Sequence, residues 1–187
     1  TLHNRDTHMK LIIVTLLLMA SIARADTVAP DKDSYLYVED DFPQAFCLAL
    51  NIYYEARSDN LAGQFAVADV AINRSLDRRY PNTICEVVKQ GSMKTGKIYG
   101  TYVKDGVTVR YPSCQFSWYC DGKADVPTQS LHWRKAQAVA YRLLFKQQHR
   151  GITEGATHYH ATYVEPRWAD DLQQVGQIGA HIFYRWP

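Results

Sequence analysis

The spacing of apolar residues changes repeatedly along this chain, and that change limits the folds open to it more than any other feature. The segments "FCLALNIYYEA" and "LAGQFAVADVAINRSL" repeat their apolar residues at helical spacing, which predicts an αα-hairpin. "GTYVKDGVTVRYP" then alternates around Asp105-Gly106, the pattern of a β-hairpin. A further amphipathic helix, "SLHWRKAQAVAYRLLFKQQ", and a segment rich in β-formers, "ATHYHATYV", follow. We therefore predict an α+β fold, a mainly helical domain with a small antiparallel β-hairpin subdomain.

Local signals place the ends of these elements. Pro43 suits the first turn of the first helix, because the N–H that proline lacks has no helical partner there. A short helix is expected from about Thr83, and "CQFSWYC" is expected to leave the hairpin as an extended segment. The residues expected to cap the three longer helices are, in chain order, Asp40 or Asp41, Ser58 or Asp59, and Ser130.

The N-terminus has the order of a secretory signal peptide. Met9 and Lys10 precede the apolar stretch "LIIVTLLLMASIA", and Ala23-Arg24-Ala25 supplies a small-x-small cleavage site. This stretch is shorter than the ~20 residues that span a bilayer as a helix, so a retained anchor is the weaker interpretation. We interpret residues 1–25 as upstream residues and a signal peptide, 26–40 as a linker, and 41–187 as the folded domain. An exported protein, periplasmic or extracellular and without stable membrane insertion, is expected.

Export would place the four cysteines in a compartment where disulfides persist. The even number fits two bridges, and three pairings satisfy it. We favour Cys114 with Cys120, which closes a short loop, and Cys47 with Cys85, which would join two helical segments. The irregular spacing, without a C-x-x-C pair, disfavours a zinc site.

The charge of the chain disfavours one class of partner. The 187 residues carry a formal net charge of +2, with a pI near 8.3 and no run of Lys or Arg. Nucleic-acid-binding domains usually concentrate basic residues, so we expect no nucleic-acid partner. A monomeric protein is expected.

One glutamate stands in an otherwise apolar helix. Glu55, in "NIYYEARSDN", falls at the end of the first predicted helix and at the edge of its apolar face. Tyr53, Tyr54 and Phe65 would flank it, and desolvation would disfavour its charged form and raise its pKa. A carboxylic acid perturbed in this way can protonate a glycosidic oxygen near neutral pH. The alternative is a surface ion pair of Glu55 with Arg57 or another arginine.

Six blocks of the sequence resemble, in order and approximate spacing, cell wall hydrolases of the spore-cortex-lytic (SleB) type. They are "NIYYEAR", "GQFAVADVAINR", "YPNTICEVV", "CQFSWYCDG", "ATHYHATYVEPRWA" and "IGAHIFY", and together they cover most of residues 46–184. The resemblance implies that 41–187 is a lysozyme-like catalytic domain, associated with the cell wall, that acts on peptidoglycan glycan strands without a cofactor. It also implies that Glu55, in the "YxEAR" block, is the essential acid.

The resemblance further suggests which residues surround this acid. Lytic transglycosylases build their cleft from a helix-end glutamate, a glutamine-bearing segment and a later tyrosine-bearing block. Gln115 and Ser117 would hold sugar N-acetyl groups from one face of the extended segment. Trp118 would stack on a pyranose ring or pack in the core, and Tyr159 or His160 would hydrogen-bond near the scissile bond unless Tyr159 is an ordinary strand residue. The expected substrate-binding residues are thus Tyr54, Gln115, Ser117, Trp118, Tyr159 and His160.

The chain departs from the family pattern after "EAR", where many relatives have Gly-Glu and this chain has Ser58-Asp59. Asp59 and Asp121 are therefore the candidate second carboxylates. A retaining glycosidase needs its second carboxyl about 5 Å from the first, and an inverting one roughly 6.5 to 9.5 Å. Without a fixed second carboxylate, attack by the muramic acid 6-hydroxyl is the simpler route. We therefore expect a lytic transglycosylase that cleaves between N-acetylmuramic acid and N-acetylglucosamine.

Three late histidines suggest other functions. His158 and His160 place two imidazoles on one strand face, a spacing that zinc enzymes use, but no H-E-x-x-H motif occurs. His181 lies among apolar residues, where a structural histidine is more common than a ligand, so we predict no metal. "YVEPRWA" is interpreted as a rim or packing element. The alternatives left open are an N-acetylmuramoyl-L-alanine amidase and a non-catalytic peptidoglycan-binding domain.

Overall fold

The computed structural model describes residues 39–91, 98–104, 107–112 and 114–187. The predicted signal peptide and most of the predicted linker lie outside these residues. The helices are α1 (Pro43–Ala56), α2 (Leu61–Leu76), α3 (Ile84–Val88) and α4 (Ser130–Lys146). The strands are β1 (Ile98–Lys104), β2 (Val107–Pro112), β3 (His158–Ala161), β4 (Gln173–Ile178) and β5 (His181–Arg185). The predicted α+β class is confirmed. Within the described ranges, no helix combines the length and apolarity needed to cross a membrane.

Helix α1 lies at the centre of the main core and packs against α2, α3 and α4. Ala49, Leu50 and Tyr53, three of the apolar residues that recur at helical spacing, form a buried stripe. Leu48 and Ile52, which lie outside that stripe, are also fully buried. A helix that is apolar on all sides is one that the rest of the domain surrounds. Each large apolar side chain buried here contributes about 1.5 to 3 kcal/mol, so the helix that carries Glu55 is firmly held.

Both predicted disulfides are present. Cys47–Cys85 joins α1 to α3, and Cys114–Cys120 closes the loop after the β1–β2 hairpin. The prediction that "CQFSWYC" is extended is wrong, because its end is a 3-10 helix, Ser117–Cys120. An extended chain would separate residues six apart by about 20 Å. The bridge instead holds the two Cα atoms at 6.0 Å, which requires the chain to turn.

The predicted caps of the three longer helices are wrong. Helix α1 begins after Phe42 and α4 after Gln129, both without a side-chain cap. Helix α2 is capped by Asn60, whose side chain accepts a hydrogen bond from the Gly63 N–H at 2.9 Å. Two predictions hold: Pro43 is the first residue of α1, and the short helix α3 begins directly after Thr83, whose side chain caps it. The five incorrect candidates are Asp40, Asp41, Ser58, Asp59 and Ser130.

Two antiparallel sheets complete the fold. Strands β1 and β2 form the predicted hairpin, with Lys104 opposite Val107, while the turn residues Asp105-Gly106 lie outside the described residues. The second sheet has the order β3-β5-β4. In it Tyr159 lies opposite Phe183, and Phe183 is buried in a second apolar cluster with Val67 and Val70 of α2. One face of this sheet therefore packs on α2, and Tyr159 is on that face.

Candidate active site

Glu55 lies in the last turn of α1, where its side chain is partly buried. The Tyr159 hydroxyl donates a hydrogen bond to Glu55 Oε2 at 3.1 Å. Arg57 turns back to its own helix: its Nη1 donates to the Tyr53 carbonyl at 3.4 Å, and its guanidinium lies 5.3 Å from the Tyr53 ring centre. No basic side chain in the described part of the chain forms an ion pair with Glu55, so the surface ion pair considered from the sequence is not formed there.

Burial raises the pKa of the Glu55 carboxyl, as its apolar setting predicted. Two groups work in the opposite direction, namely the hydrogen bond from Tyr159 and the positive charge of Arg74. Burial and the Glu55 charge also raise the pKa of Tyr159 well above its usual value, so its phenol stays protonated and acts as a donor. Burial therefore favours the protonated form of Glu55, while the Tyr159 hydroxyl offers one hydrogen bond to the ionised form.

Arg74 is the residue of this site that the sequence analysis missed. It is only 5% exposed, and its Nε donates to the Thr157 carbonyl at 2.7 Å, two residues before Tyr159. Its guanidinium lies 5.3 Å from the Phe116 ring centre and 5.4 Å from that of Tyr80. A signal was present in the sequence, because an arginine seven residues after Val67 falls on the buried face of α2.

The polar residues of α2 fix the loop that leads into β3. Asp69 is fully buried and accepts a hydrogen bond from the Thr153 hydroxyl at 2.6 Å, and it also pairs with Arg150. One turn further, the Asn73 side chain donates to the Ala156 carbonyl at 2.9 Å. With Arg74 these contacts connect three positions of one helix to the chain that precedes Tyr159. They explain how a strand about a hundred residues away in sequence brings its tyrosine to Glu55.

Asp59 is held by the turn between β4 and β5. Its carboxylate accepts hydrogen bonds from the Ala180 N–H, at 3.1 Å to Oδ2, and from the Asn60 N–H, at 2.7 Å to Oδ1. His181 Nδ1 lies 3.2 Å from Oδ2, and the His181 ring contacts the Tyr159 ring edge to face at 5.1 Å. Both oxygens of Asp59 are thus engaged in structural contacts at the edge of the site.

Asp121, the other candidate second carboxylate, is also engaged. It accepts hydrogen bonds from the Lys123 N–H at 2.9 Å and from Lys123 Nζ at 3.2 Å. The backbone hydrogen bond from Lys123 lowers the pKa of Asp121. Nothing in the described contacts connects it to Glu55.

The expected sugar-binding segment is only partly available to a ligand. Gln115 and Ser117 are exposed, whereas Trp118 is 6% exposed and stacks on Tyr54 with ring centres 4.7 Å apart. The Trp118 Nε1 donates to Asn51 Oδ1 at 3.4 Å. Of the two interpretations of Trp118, the structure therefore favours packing in the core over stacking on a pyranose ring.

His158 and His160 lie on the face of the β3-β5-β4 sheet opposite Tyr159, because side chains alternate along a strand. His160 Nε2 lies 2.9 Å from the Tyr184 hydroxyl, and both histidine rings contact Trp168. The structure thus brings Tyr159, and not His160, to Glu55. Across the described residues, no group of three His, Cys, Asp or Glu side chains is arranged to hold a metal ion.

Residues 58–184, more than half of the 187-residue chain, match the family model Cell Wall Hydrolase. The chain belongs to the Cell Wall Hydrolase family. This membership confirms the resemblance seen in the sequence and makes the protein a peptidoglycan-degrading enzyme. The matched range begins just after Glu55, so the role of Glu55 in this hydrolase depends on the geometry of the site.

Two solved structures resemble this cell wall hydrolase. The catalytic domain of the germination-specific lytic transglycosylase SleB from Bacillus anthracis is 21% identical, over 80% of this chain and 97% of that chain, with a TM-score of 0.47. The catalytic domain of the Bacillus cereus SleB protein is 23% identical, over 76% of this chain and 91% of that chain, with a TM-score of 0.44. No curated protein matches the chain. Similarity at this level assigns no residue of the site.

Proposed function

We propose that this hydrolase cleaves the glycosidic bond between N-acetylmuramic acid and N-acetylglucosamine, as a lytic transglycosylase with Glu55 as its acid and base. The observation that carries the proposal is the setting of Glu55, a partly buried carboxyl whose pKa burial raises and whose Oε2 accepts the Tyr159 hydrogen bond. None of the described residues donates a hydrogen bond to Oε1. That oxygen is therefore the one left to exchange a proton with a substrate.

The proposed reaction needs one acid and no water. Glu55 gives its proton to the glycosidic oxygen as the bond from muramic acid C1 to that oxygen breaks. The muramic acid 6-hydroxyl then forms a bond to C1 and returns its proton to the Glu55 carboxylate. The products are a free glucosamine 4-hydroxyl and a 1,6-anhydro-muramic acid end, and the enzyme regains its starting protonation state.

The contacts of Asp59 and Asp121, the two candidate second carboxylates, support attack by the substrate's own hydroxyl. In most glycosidases hydrolysis uses a second carboxyl that either attacks the sugar or activates a water. Asp59 is bonded to Ala180 and Asn60, and Asp121 is bonded to Lys123. Neither is arranged as a free base beside Glu55, whereas attack by the substrate's own hydroxyl needs no such group.

Gln115 and Ser117 are proposed to bind the sugars, because both are exposed. Tyr54 is proposed to border the same cleft, with Trp118 stacked behind it. Export to the cell wall and a monomeric state are proposed on the sequence evidence given above.

The test combines one variant with product analysis. Glu55→Gln is nearly isosteric but cannot donate an acidic proton, so it should lower the rate of cell wall clearing by about 10² to 10⁴-fold. Mass spectrometry of wild-type digests should find muropeptides lighter than hydrolysed ends by one water, about 18 Da. EDTA should not change the rate. Reducing muramic acid ends would support hydrolysis instead, and free stem peptides with EDTA inhibition would support an amidase.

A further inference from the structure

A cavity of about 490 Å³ lies between the first turn of α2 and the middle of α4. Its size is within the range of about 300 to 1,000 Å³ that is usual for ligand sites. Residues that line it include the cap residue Asn60, Leu61 and Gln64 of α2, and Lys135, Val139 and Arg142 of α4. The mechanism proposed above does not use these side chains.

The cavity is suited to an anionic ligand. Lys135 and Arg142 are exposed, and neither forms an ion pair with any residue that the structure describes. Arg142 is positioned by Phe65, whose ring centre is 5.9 Å from the guanidinium carbon. One lining residue is acidic, Asp59, and its carboxylate accepts hydrogen bonds from the Ala180 and Asn60 N–H groups. Lys135 and Arg142 together outweigh this one carboxylate, so the lining keeps a net positive charge for a ligand.

The spacing of the two cations indicates the shape of that ligand. Lys135 and Arg142 are seven residues apart on one face of α4, which corresponds to about 10.5 Å along the helix axis. An extended peptide covers about 3.3 to 3.6 Å per residue, so about three residues cover this distance. Leu61 and Val139 offer apolar contact beside the cations. The cavity therefore fits a short extended peptide with carboxylates near both ends.

We propose that this cavity binds the acidic stem peptide of peptidoglycan, so that the enzyme prefers peptide-bearing glycan to naked glycan. The effect on cleavage depends on the proposed function, whereas binding of the peptide does not. Asp59 connects the two sites: it lines the cavity, and His181, which contacts its carboxylate, packs against Tyr159. A stem peptide in the cavity would thus lie beside Asp59, whose contact with His181 supports the Tyr159 side chain next to Glu55.

Binding is measured by calorimetry at low salt with the Glu55→Gln protein. The probes are a disaccharide with a tripeptide stem, the same compound with its carboxylates amidated, and the naked disaccharide. The cavity variant is Lys135→Gln/Arg142→Gln. The matched control is Arg134→Gln/Lys146→Gln, which removes the same charge from the same helix outside the cavity lining.

The acidic probe should bind more tightly than the amidated and naked probes. The cavity variant should bind the acidic probe about tenfold more weakly, since two exposed charges contribute up to about 1 kcal/mol each and 1.4 kcal/mol is tenfold. The control should stay within about twofold of the parent protein. Equal weakening by both double variants, or equal binding of all three probes, would overturn the proposal.

A cleavage assay separates this inference from the proposed function. The substrates are intact peptidoglycan glycan strands and strands from which an amidase has removed the stems. The wild-type enzyme should favour the peptide-bearing strands by about tenfold in kcat/KM, and the cavity variant should lose most of that preference while the control retains it. Glycosidic cleavage without a preference rejects the stem-peptide site alone. Absence of glycosidic cleavage rejects the proposed function, and the calorimetry then still decides whether the peptide binds.

Discussion

Asp59→Asn distinguishes a structural role of Asp59 from a catalytic one. The carboxylate accepts hydrogen bonds from the Ala180 and Asn60 N–H groups and contacts His181 Nδ1 at 3.2 Å. Asparagine keeps one acceptor oxygen and replaces the other by an NH₂ donor, so at least one charge-assisted hydrogen bond is lost. Such a bond contributes about 1.5 to 3 kcal/mol. In a protein of this size each 1 kcal/mol changes Tm by about 2 to 4 °C, so the variant should melt about 3 to 12 °C lower.

The assay pairs a thermal melt with cell wall clearing well below the melting temperature of the variant. If Asp59 is structural, Asp59→Asn should retain turnover within about tenfold of the wild type, because the proposed acid, Glu55, is unchanged. Asp121→Asn is the control, since Asp121 is bonded to Lys123, and it should change neither Tm nor rate appreciably. A loss of about 10² to 10⁴-fold in turnover with an unchanged Tm would refute this reasoning and assign Asp59 as a catalytic carboxylate.

Three further predictions follow from the structure. Tyr159→Phe removes the hydrogen bond that favours ionised Glu55, so the pKa of Glu55 should rise further. The alkaline limb of the pH profile of kcat/KM should then move to higher pH, and an unmoved limb would contradict this prediction. Burial, with repulsion from nearby arginines, lowers the pKa of His158 from 6.5 to about 4, so stability present above pH 6.5 should be lost as the pH falls toward 4. Urea unfolding of His158→Gln should show a weaker loss between pH 7 and 5, and an equal loss would exclude His158 as its source. Replacing Cys47 and Cys85 by alanine should lower the free energy of unfolding by about 4 kcal/mol, because their separation of 38 residues closes a long loop in the unfolded chain; a change below about 1 kcal/mol in denaturant melts would contradict the estimate.

The main elements were predictable from the sequence because the spacing of apolar residues records which face is buried. The helix caps were not predictable, since α1 and α4 begin without a side-chain cap and the candidate Asp59 is bonded to a partner distant along the chain. Asp59 has the chemistry of a cap, but its carboxylate is bonded to Ala180, which lies 121 residues away. Asn60 is therefore the residue that caps α2. Ser58, Asp59 and Asn60 are all residue types that cap helices, and the contact of Asp59 with Ala180 decides between Asp59 and Asn60.

The candidate site was predictable at Glu55 but not at the residues expected to surround it. Glu55 could be selected as the candidate acid because a carboxyl at the edge of an apolar helix is unusual, and burial does raise its pKa. The choice between Tyr159 and His160 depended on which face of β3 packs on α2, and the four-residue strand alone does not contain that information. Trp118 was ambiguous for a related reason, since stacking on Tyr54 and stacking on a sugar require the same aromatic ring.

The positive charge of Arg74 favours the ionised form of Glu55, which burial alone would disfavour. In the proposed mechanism Glu55 must first release a proton and then take one back, so both of its protonation states must be accessible. Burial favours the neutral form, whereas the Arg74 charge and the Tyr159 hydroxyl favour the ionised form. Arg74 is itself buried, and its Nη1 has no hydrogen-bond partner in the described part of the chain, so its charge is little screened by solvent. The attraction between Arg74 and Glu55 is therefore strongest when Glu55 is ionised. That is the protonation state that burial alone disfavours.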